Sequence, residues 1–167
     1  VHIDDQRTLV AGWRQRDRID FDIPIVADLP DRTKYEVGLR LIDNSQELTT
    51  WHWSPVDSDL RARGQIELTK PRIWTPQDPY RYSIEVALRR IGTTELIDKL
   101  QVQAAIRTIT AEGDMLLLNG MPFVVRGVSN WGYAPPRLAP SIDKKWMRGE
   151  IEQAQSMGFN MIKFCLW

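Results

Sequence analysis

The sequence predicts a mostly β chain: an antiparallel β-sandwich over residues 15–112, then one βαβ unit over residues 113–167. Three observations lead there. Apolar and polar residues alternate through about residue 110, the period-two signature of strands with one wet face. Turn-forming clusters interrupt that alternation every 10–20 residues or so, as hairpins and longer connections of a sandwich require. After Glu112-Gly113 the pattern changes to short continuous apolar runs around a three- and four-residue repeat, which is the grammar of parallel strands joined by a helix. Residues 1–14 are expected to be a linker, or a strand from a preceding domain.

Taken in order, Ile19, Phe21, Ile23 and Ile25 alternate with Asp20, Asp22 and Pro24. Pro24 lacks an N–H to donate, so it predicts an edge or a bulge for this strand. Tyr35, Val37, Leu39 and Leu41 form the next inward set, and Tyr82, Ile84, Val86 and Leu88 a third. Breaks fall at Leu29-Pro30-Asp31, Asp43-Asn44-Ser45, Ser54-Pro55-Val56-Asp57, Pro76-Gln77-Asp78-Pro79 and Gly92-Thr93-Thr94. About seven strands in two sheets result.

Beyond Gly113, Met115–Leu118 runs into Asn119-Gly120, a strong hairpin signal. Phe123-Val124-Val125 reads as a strand buried on both faces. Ile142, Trp146, Met147, Ile151, Ala154 and Met157 recur with helical spacing, so residues 142–157 are expected to be an amphipathic helix with Ser141 as N-cap and Gly158 as left-handed C-terminal residue. Phe159–Phe164 is the second buried strand. A single βαβ unit cannot bury both faces of its strands. That shortfall, and the apolar run closing the chain at Trp167, suggest a piece of something longer.

Composition narrows the function. The 167 residues carry 22 basic and 22 acidic side chains, so there is no electrostatic footprint for nucleic acid or an anionic membrane. No apolar stretch reaches the roughly 20 residues of a membrane span. One cysteine, Cys165, provides neither a disulfide framework nor a thiolate metal site, and it reads as a small core residue. His2 and His52 are too isolated for a metal site or a triad. Seven tryptophans are a heavy load for this length. Trp74 and Trp146 read as packing residues, and Trp13 as packing against a preceding domain. Trp51 and Trp53 share one strand face, as core, as a domain interface, or as an exposed binding patch.

Four segments together resemble a known family. Arg72-Ile73-Trp74-Thr75-Pro76-Gln77-Asp78-Pro79-Tyr80-Arg81-Tyr82 is similar to the W-(S/T)-P-x-x-P-x-x-Y signature of glycoside hydrolase family 2. Ala105-Ile106-Arg107-Thr108-Ile109 is similar to its G-F-R-x-I. The run from Leu118-Asn119-Gly120 to Arg126-Gly127-Val128 resembles L-N-G-x-P-(x)₃-R-G-V, and Met157-Gly158-Phe159-Asn160-Met161-Ile162-Lys163 resembles M-G-x-N-x-(I/V)-R. Order and spacing both agree.

The resemblance implies that residues 15–112 are an immunoglobulin-like sandwich and residues 113–167 the truncated start of a (β/α)₈ barrel. Such a barrel takes about 250 residues and eight βα units. It also implies a parent enzyme that hydrolyses β-linked glycosides with retention, through a pair of carboxyl groups. In the family those two glutamates come from the fourth and seventh barrel strands. This chain therefore has no catalytic residue to name, and is expected to be inactive alone. What the first two strands contribute is pocket lining, assigned by resemblance to Asn130, Trp131, Lys163 and Trp167. Ser129-Asn130-Trp131-Gly132 replaces the family's N-R/K-H-E, and Lys163 replaces the arginine of R-x-S-H-Y-P, whose histidine position is Leu166. These departures point to a branch whose pocket leans on Trp131 and Trp167. Arg126 is expected inside the barrel as a structural residue. Lys163 is expected there too, buried beside a catalytic carboxylate and keeping it ionised. Neither metal nor organic cofactor is implied. The partners implied are a carbohydrate substrate, an N-terminal jelly roll and the remainder of the barrel. The alternative is a non-catalytic carbohydrate-binding or structural sandwich module.

Overall fold

The computed structural model describes residues 1–13, 17–27, 34–43, 46–133, 139 and 141–165. It divides into two compact units, Val1–Ile109 with Leu118–Gly120, and Thr110–Leu117 with Met121–Trp167.

The first unit is a sandwich of two sheets. In one, β3 (Arg18–Val26) is central, flanked by β7 (Arg61–Glu67) on one side and by β1 (His2–Ile3) and β2 (Leu9–Trp13) on the other. The short β10 (Ile106–Arg107) adds to β2 in parallel, with Ile106 opposite Gly12. In the other sheet, β4 (Tyr35–Asp43) pairs with β5 (Gln46–Glu47) and β6 (His52–Pro55) on one side and with β8 (Tyr82–Arg90) on the other. Strand β9 (Leu96–Ala104) closes that sheet beside β8. The alternation does what the pattern requires. Ile19, Phe21, Ile23 and Ile25 of β3 meet Val37, Leu39 and Leu41 of β4 and Ile84, Val86 and Leu88 of β8 in one core. The two-residue strands β1, β5 and β10 carry too little alternation to be read from sequence, so the expected seven strands undercount the sandwich.

Two expectations change here. Residues 1–13 carry β1 and β2, which pair with β3 inside this sheet. Pro24 does not put β3 at an edge, because it pairs with Arg61 of β7. Its carbonyl accepts from the Asp4 N–H at 2.9 Å, so its nitrogen faces the same side, at the gap between β2 and β1 where no donor is called for.

Next in the chain, β11 (Ile109–Glu112), β12 (Met115–Leu118) and β13 (Met121–Pro122) make a small sheet. Asn119 (φ 53°) and Gly120 (φ 80°) turn the hairpin with both residues left-handed. Strand β14 (Gly127–Asn130) pairs in parallel with β15 (Met161–Phe164), and helix α1 (Lys144–Ser156) lies between them in sequence. The chain thus contains a βαβ connection, but its first strand is β14, not Phe123–Val125. Val124 there is 72% exposed and lies outside any strand. The N-cap is Asp143, whose carboxylate accepts from the Lys145 N–H at 2.8 Å, while the Ser141 hydroxyl accepts from the Asp143 N–H. Two residues set the shift: an aspartate caps better when its own carboxylate reaches the second helical N–H. Gly158 takes the expected left-handed conformation, at φ 83°. No residue of α1 is buried, so Trp146 is half-buried rather than core.

Candidate functional site

The pairing of β14 with β15 sorts the predicted pocket residues onto two faces. Val128 stands opposite Ile162, Ser129 opposite Lys163 and Asn130 opposite Phe164. A cleft of about 460 Å³ lies against α1, lined by Val128, Asn130, Trp131, Glu150, Met157 and Ile162 among others. Asn130 and Trp131 therefore share one cleft. Lys163 follows Ile162 in an extended strand, so it alternates to the opposite face. It is exposed and not buried as expected, because among the described residues nothing covers that face. Trp167, the fourth predicted residue, and Leu166 lie outside the described residues.

Within the cleft, Asn130 is already engaged. Its Oδ1 accepts from the Gly132 N–H at 2.6 Å and its Nδ2 donates to Glu150 at 3.3 Å, tying β14 to α1. Trp131 is 52% exposed and offers a flat apolar surface. Cys165 is half-buried, and its backbone N–H donates to the Asn130 carbonyl.

Two asparagines of the motif segments act as hydrogen-bonding joints. Asn160 closes a latch in the second unit. Its Oδ1 accepts from the Arg126 N–H and its Nδ2 donates to the Val124 carbonyl, both at 2.8 Å. The Arg126 side chain donates through Nε to the Gly158 carbonyl at 2.8 Å. The R-G-V and M-G-x-N segments are thus two halves of one hydrogen-bonded joint, and Arg126 is exposed, holding the residue just past the end of α1. Asn119 does the same in the first unit. It accepts from the Thr108 N–H and donates to the Trp74 carbonyl, each at 3.0 Å. Trp74 in turn donates its N–H to Ile106, and the Arg107 guanidinium lies 4.8 Å from the Trp74 ring centroid. An asparagine beside a glycine at a turn was the available signal, since its side chain can serve backbone groups on both sides.

Asp78 organises the W-T-P segment. Both its oxygens accept from Arg72, at 2.9 and 2.8 Å, and its N–H donates to the Thr75 hydroxyl. The Arg72 guanidinium holds the carboxyl below the ordinary aspartate range, against the opposing effect of burial. In Asp22, similarly, the Arg61 hydrogen bond lowers the carboxyl and raises the guanidinium.

Trp51 and Trp53 do not form an open platform. Their rings stack on each other at 5.3 Å, with Arg40 at 4.7 Å over Trp51 and Arg89 at 3.5 Å over Trp53. Trp53 also packs close to Gly38, where an added Cβ would come within 2.7 Å of the ring. Glu85 and Glu36 hold the two arginines. The two rings are thus engaged with each other and with two arginines, and both are half-buried. Among the described residues no group of three or more His, Cys, Asp or Glu is placed to hold a metal, and no helix is long and apolar enough to cross a membrane.

No family model matches the chain. In sequence it is similar to a β-galactosidase of Pectobacterium atrosepticum, 27% identical over 103 residues, covering 62% of this chain and 10% of the relative. It is also similar to a β-glucuronidase of Paenibacillus borealis, 34% identical over 93 residues, covering 55% of this chain and 14% of the relative. In fold it is similar to the β-glucuronidase of Bifidobacterium dentium, with a TM-score of 0.76 at 19% identity, over 87% of this chain and 22% of that one. A Ruminococcus gnavus β-glucuronidase gives 0.77 at 18% identity, over 99% of this chain and 26% of that one. The chain spans about a tenth of the length of the first curated relatives it matches.

Proposed function

From its resemblance to β-galactosidases and β-glucuronidases of the glycoside hydrolase family 2 type, we propose that this chain is the sandwich and the first βαβ unit of a (β/α)₈ barrel in a retaining hydrolase of β-linked glycosides. The observation that carries the reading is the parallel pairing of β14 with β15 across α1, directly after the sandwich and its hairpin. The four motifs sit where such an order needs them, and two are joined by the Asn160–Arg126 latch. The larger span of the relatives supports a longer working protein. In it, Lys163, on the face of the strand pair away from α1, would point into the barrel, and Trp131 and Trp167 would stand at the mouth where substrates bind. Asn130 would position the loop that carries Trp131.

The chain by itself should turn nothing over. Retention needs two carboxyl groups about 5–5.5 Å apart, and in the family these come from the fourth and seventh barrel strands, whereas this chain carries one βαβ unit. The test is a panel of aryl β-glycosides offered to the purified 167-residue chain and to a longer reading frame carrying it. Hydrolysis by the longer protein alone is expected. Turnover by the short chain above a buffer blank overturns the assignment of chemistry to later strands, and inactivity of both overturns the hydrolase reading.

A further inference from the structure

We propose that the sandwich unit carries its own binding site for a neutral pyranose ring, at the end where β7 leaves its sheet. A cavity of about 450 Å³ opens there, bounded by Leu48 and Thr49 on one side and by Glu67 to Arg72 on the other, with Tyr80 and Tyr82 behind. Pockets for small molecules span about 300–1,000 Å³.

The back wall is held by its own contacts. The Arg72 N–H donates to the Tyr82 hydroxyl at 2.7 Å, and the Arg72 guanidinium, clamped by Asp78, lies 4.3 Å from the Tyr80 ring centroid. Tyr80 meets Tyr82 edge-on at 4.9 Å with the rings at 90°. With Leu48 and Pro71, Tyr80 gives the cavity an apolar side.

The rim is polar and mixed in sign. Among the described residues neither the Glu67 carboxylate nor the Lys70 ammonium is in an ion pair. The Thr49 Oγ1 accepts from the Leu41 N–H at 3.0 Å and keeps its own proton to donate. Lys70 is the pointer. Its φ of 51° is left-handed although it is not glycine, and it precedes Pro71, which further narrows its conformations. Strain of this kind persists where the surroundings impose it and clusters at ligand clamps.

A pyranose has an apolar C–H face and a rim of hydroxyls that both donate and accept. Glu67 can accept from two adjacent hydroxyls, Lys70 and Thr49 can donate to hydroxyl oxygens, and the Tyr80 side takes the C–H face. One carboxylate balanced by one ammonium favours a neutral sugar over a uronate or phosphate. The site is built wholly of sandwich residues and does not rest on the hydrolase reading.

The experiment is an amide chemical-shift titration of the 167-residue chain with methyl β-D-glucopyranoside, methyl β-D-galactopyranoside, glucuronic acid and inorganic phosphate. Saturable shifts at Thr49, Thr69 and Lys70 are expected with at least one neutral glycoside. Lys70→Gly relieves the backbone strain, so its unfolding midpoint should rise while its affinity falls tenfold or more. Glu67→Gln should weaken binding without that gain in stability. A Lys70→Gly variant that gained stability with unchanged affinity would overturn the part given to the lysine side chain. Absence of saturable shifts with both glycosides, tighter binding of phosphate or glucuronate, or unchanged affinity in both variants overturns the proposal. None of these outcomes bears on turnover by a longer protein.

Discussion

The side chain of Asn119 donates to the carbonyl oxygen of Trp74, 45 residues earlier, at 3.0 Å. The same side chain accepts from the Thr108 N–H at 3.0 Å, and its backbone N–H donates to the Thr108 carbonyl at 2.8 Å. One left-handed turn residue thereby joins three of the four segments that carry the family resemblance.

Asn119→Ala should be costly, because it strands a backbone donor and an acceptor in a part-buried place, each worth about 1–3 kcal/mol. Asn119→Gly keeps the left-handed turn and loses only the side-chain bonds. Denaturant unfolding should rank wild type above the glycine variant and the glycine variant above the alanine one. Equal stability of all three would remove Asn119 as a joint.

Gly12 and Gly38 should respond differently to a methyl group. At Gly12 a Cβ would lie 2.5 Å from the Ala105 carbonyl oxygen, a backbone atom that can move only by opening the β2–β10 pairing. At Gly38 the obstacle is the Trp53 ring, which can tilt. Gly38→Ala is expected to cost about 1–3 kcal/mol, as overpacking does, and to shift tryptophan emission as the ring leaves Arg89. Gly12→Ala should cost more with less change in emission.

Asp78 contributes stability with a definite pH dependence. Its carboxyl titrates lower in the folded chain than in the unfolded one, chiefly through the Arg72 hydrogen bonds. That contribution is present above the ordinary aspartate range, near pH 3.9, and is lost as pH falls through the lowered value. The stability gap between wild type and Asp78→Asn should hold constant from neutral pH to about pH 5 and shrink in acid below it. A gap that widens in acid would contradict the assignment.

The core lies in the sandwich. Leu39→Ala, at a position with no exposed surface, should cost about 2–5 kcal/mol. Met147→Ala, at a residue of α1 that is 41% exposed, should stay within about 0.5 kcal/mol. Comparable losses from both would contradict the exposure of α1 among the described residues.

Much of this was legible in the chain. The inward sets on β3, β4 and β8 follow residue by residue from period two, because a sheet with one wet face leaves that imprint whatever its neighbours are. The Asn119-Gly120 turn and the role of Gly158 were legible for a similar reason: left-handed backbone restricts the residues that can adopt it. Phe123–Val125 misled, since a continuous apolar run records only burial and not which partner provides it. In this chain the strand begins at Gly127, after Arg126 has been fixed by Asn160.

By itself, then, the sequence determined the strand faces, the turns, the neutral charge and the motifs that resemble a family, all local properties of neighbouring residues. Tertiary structure alone decided that Trp51 and Trp53 stack under two arginines, that Asn130 and Lys163 fall on opposite faces of one strand pair, and that Glu67 and Lys70 share a cavity rim with Tyr80. Those relationships depend on register and on contacts between residues far apart in sequence, and periodicity carries no record of either.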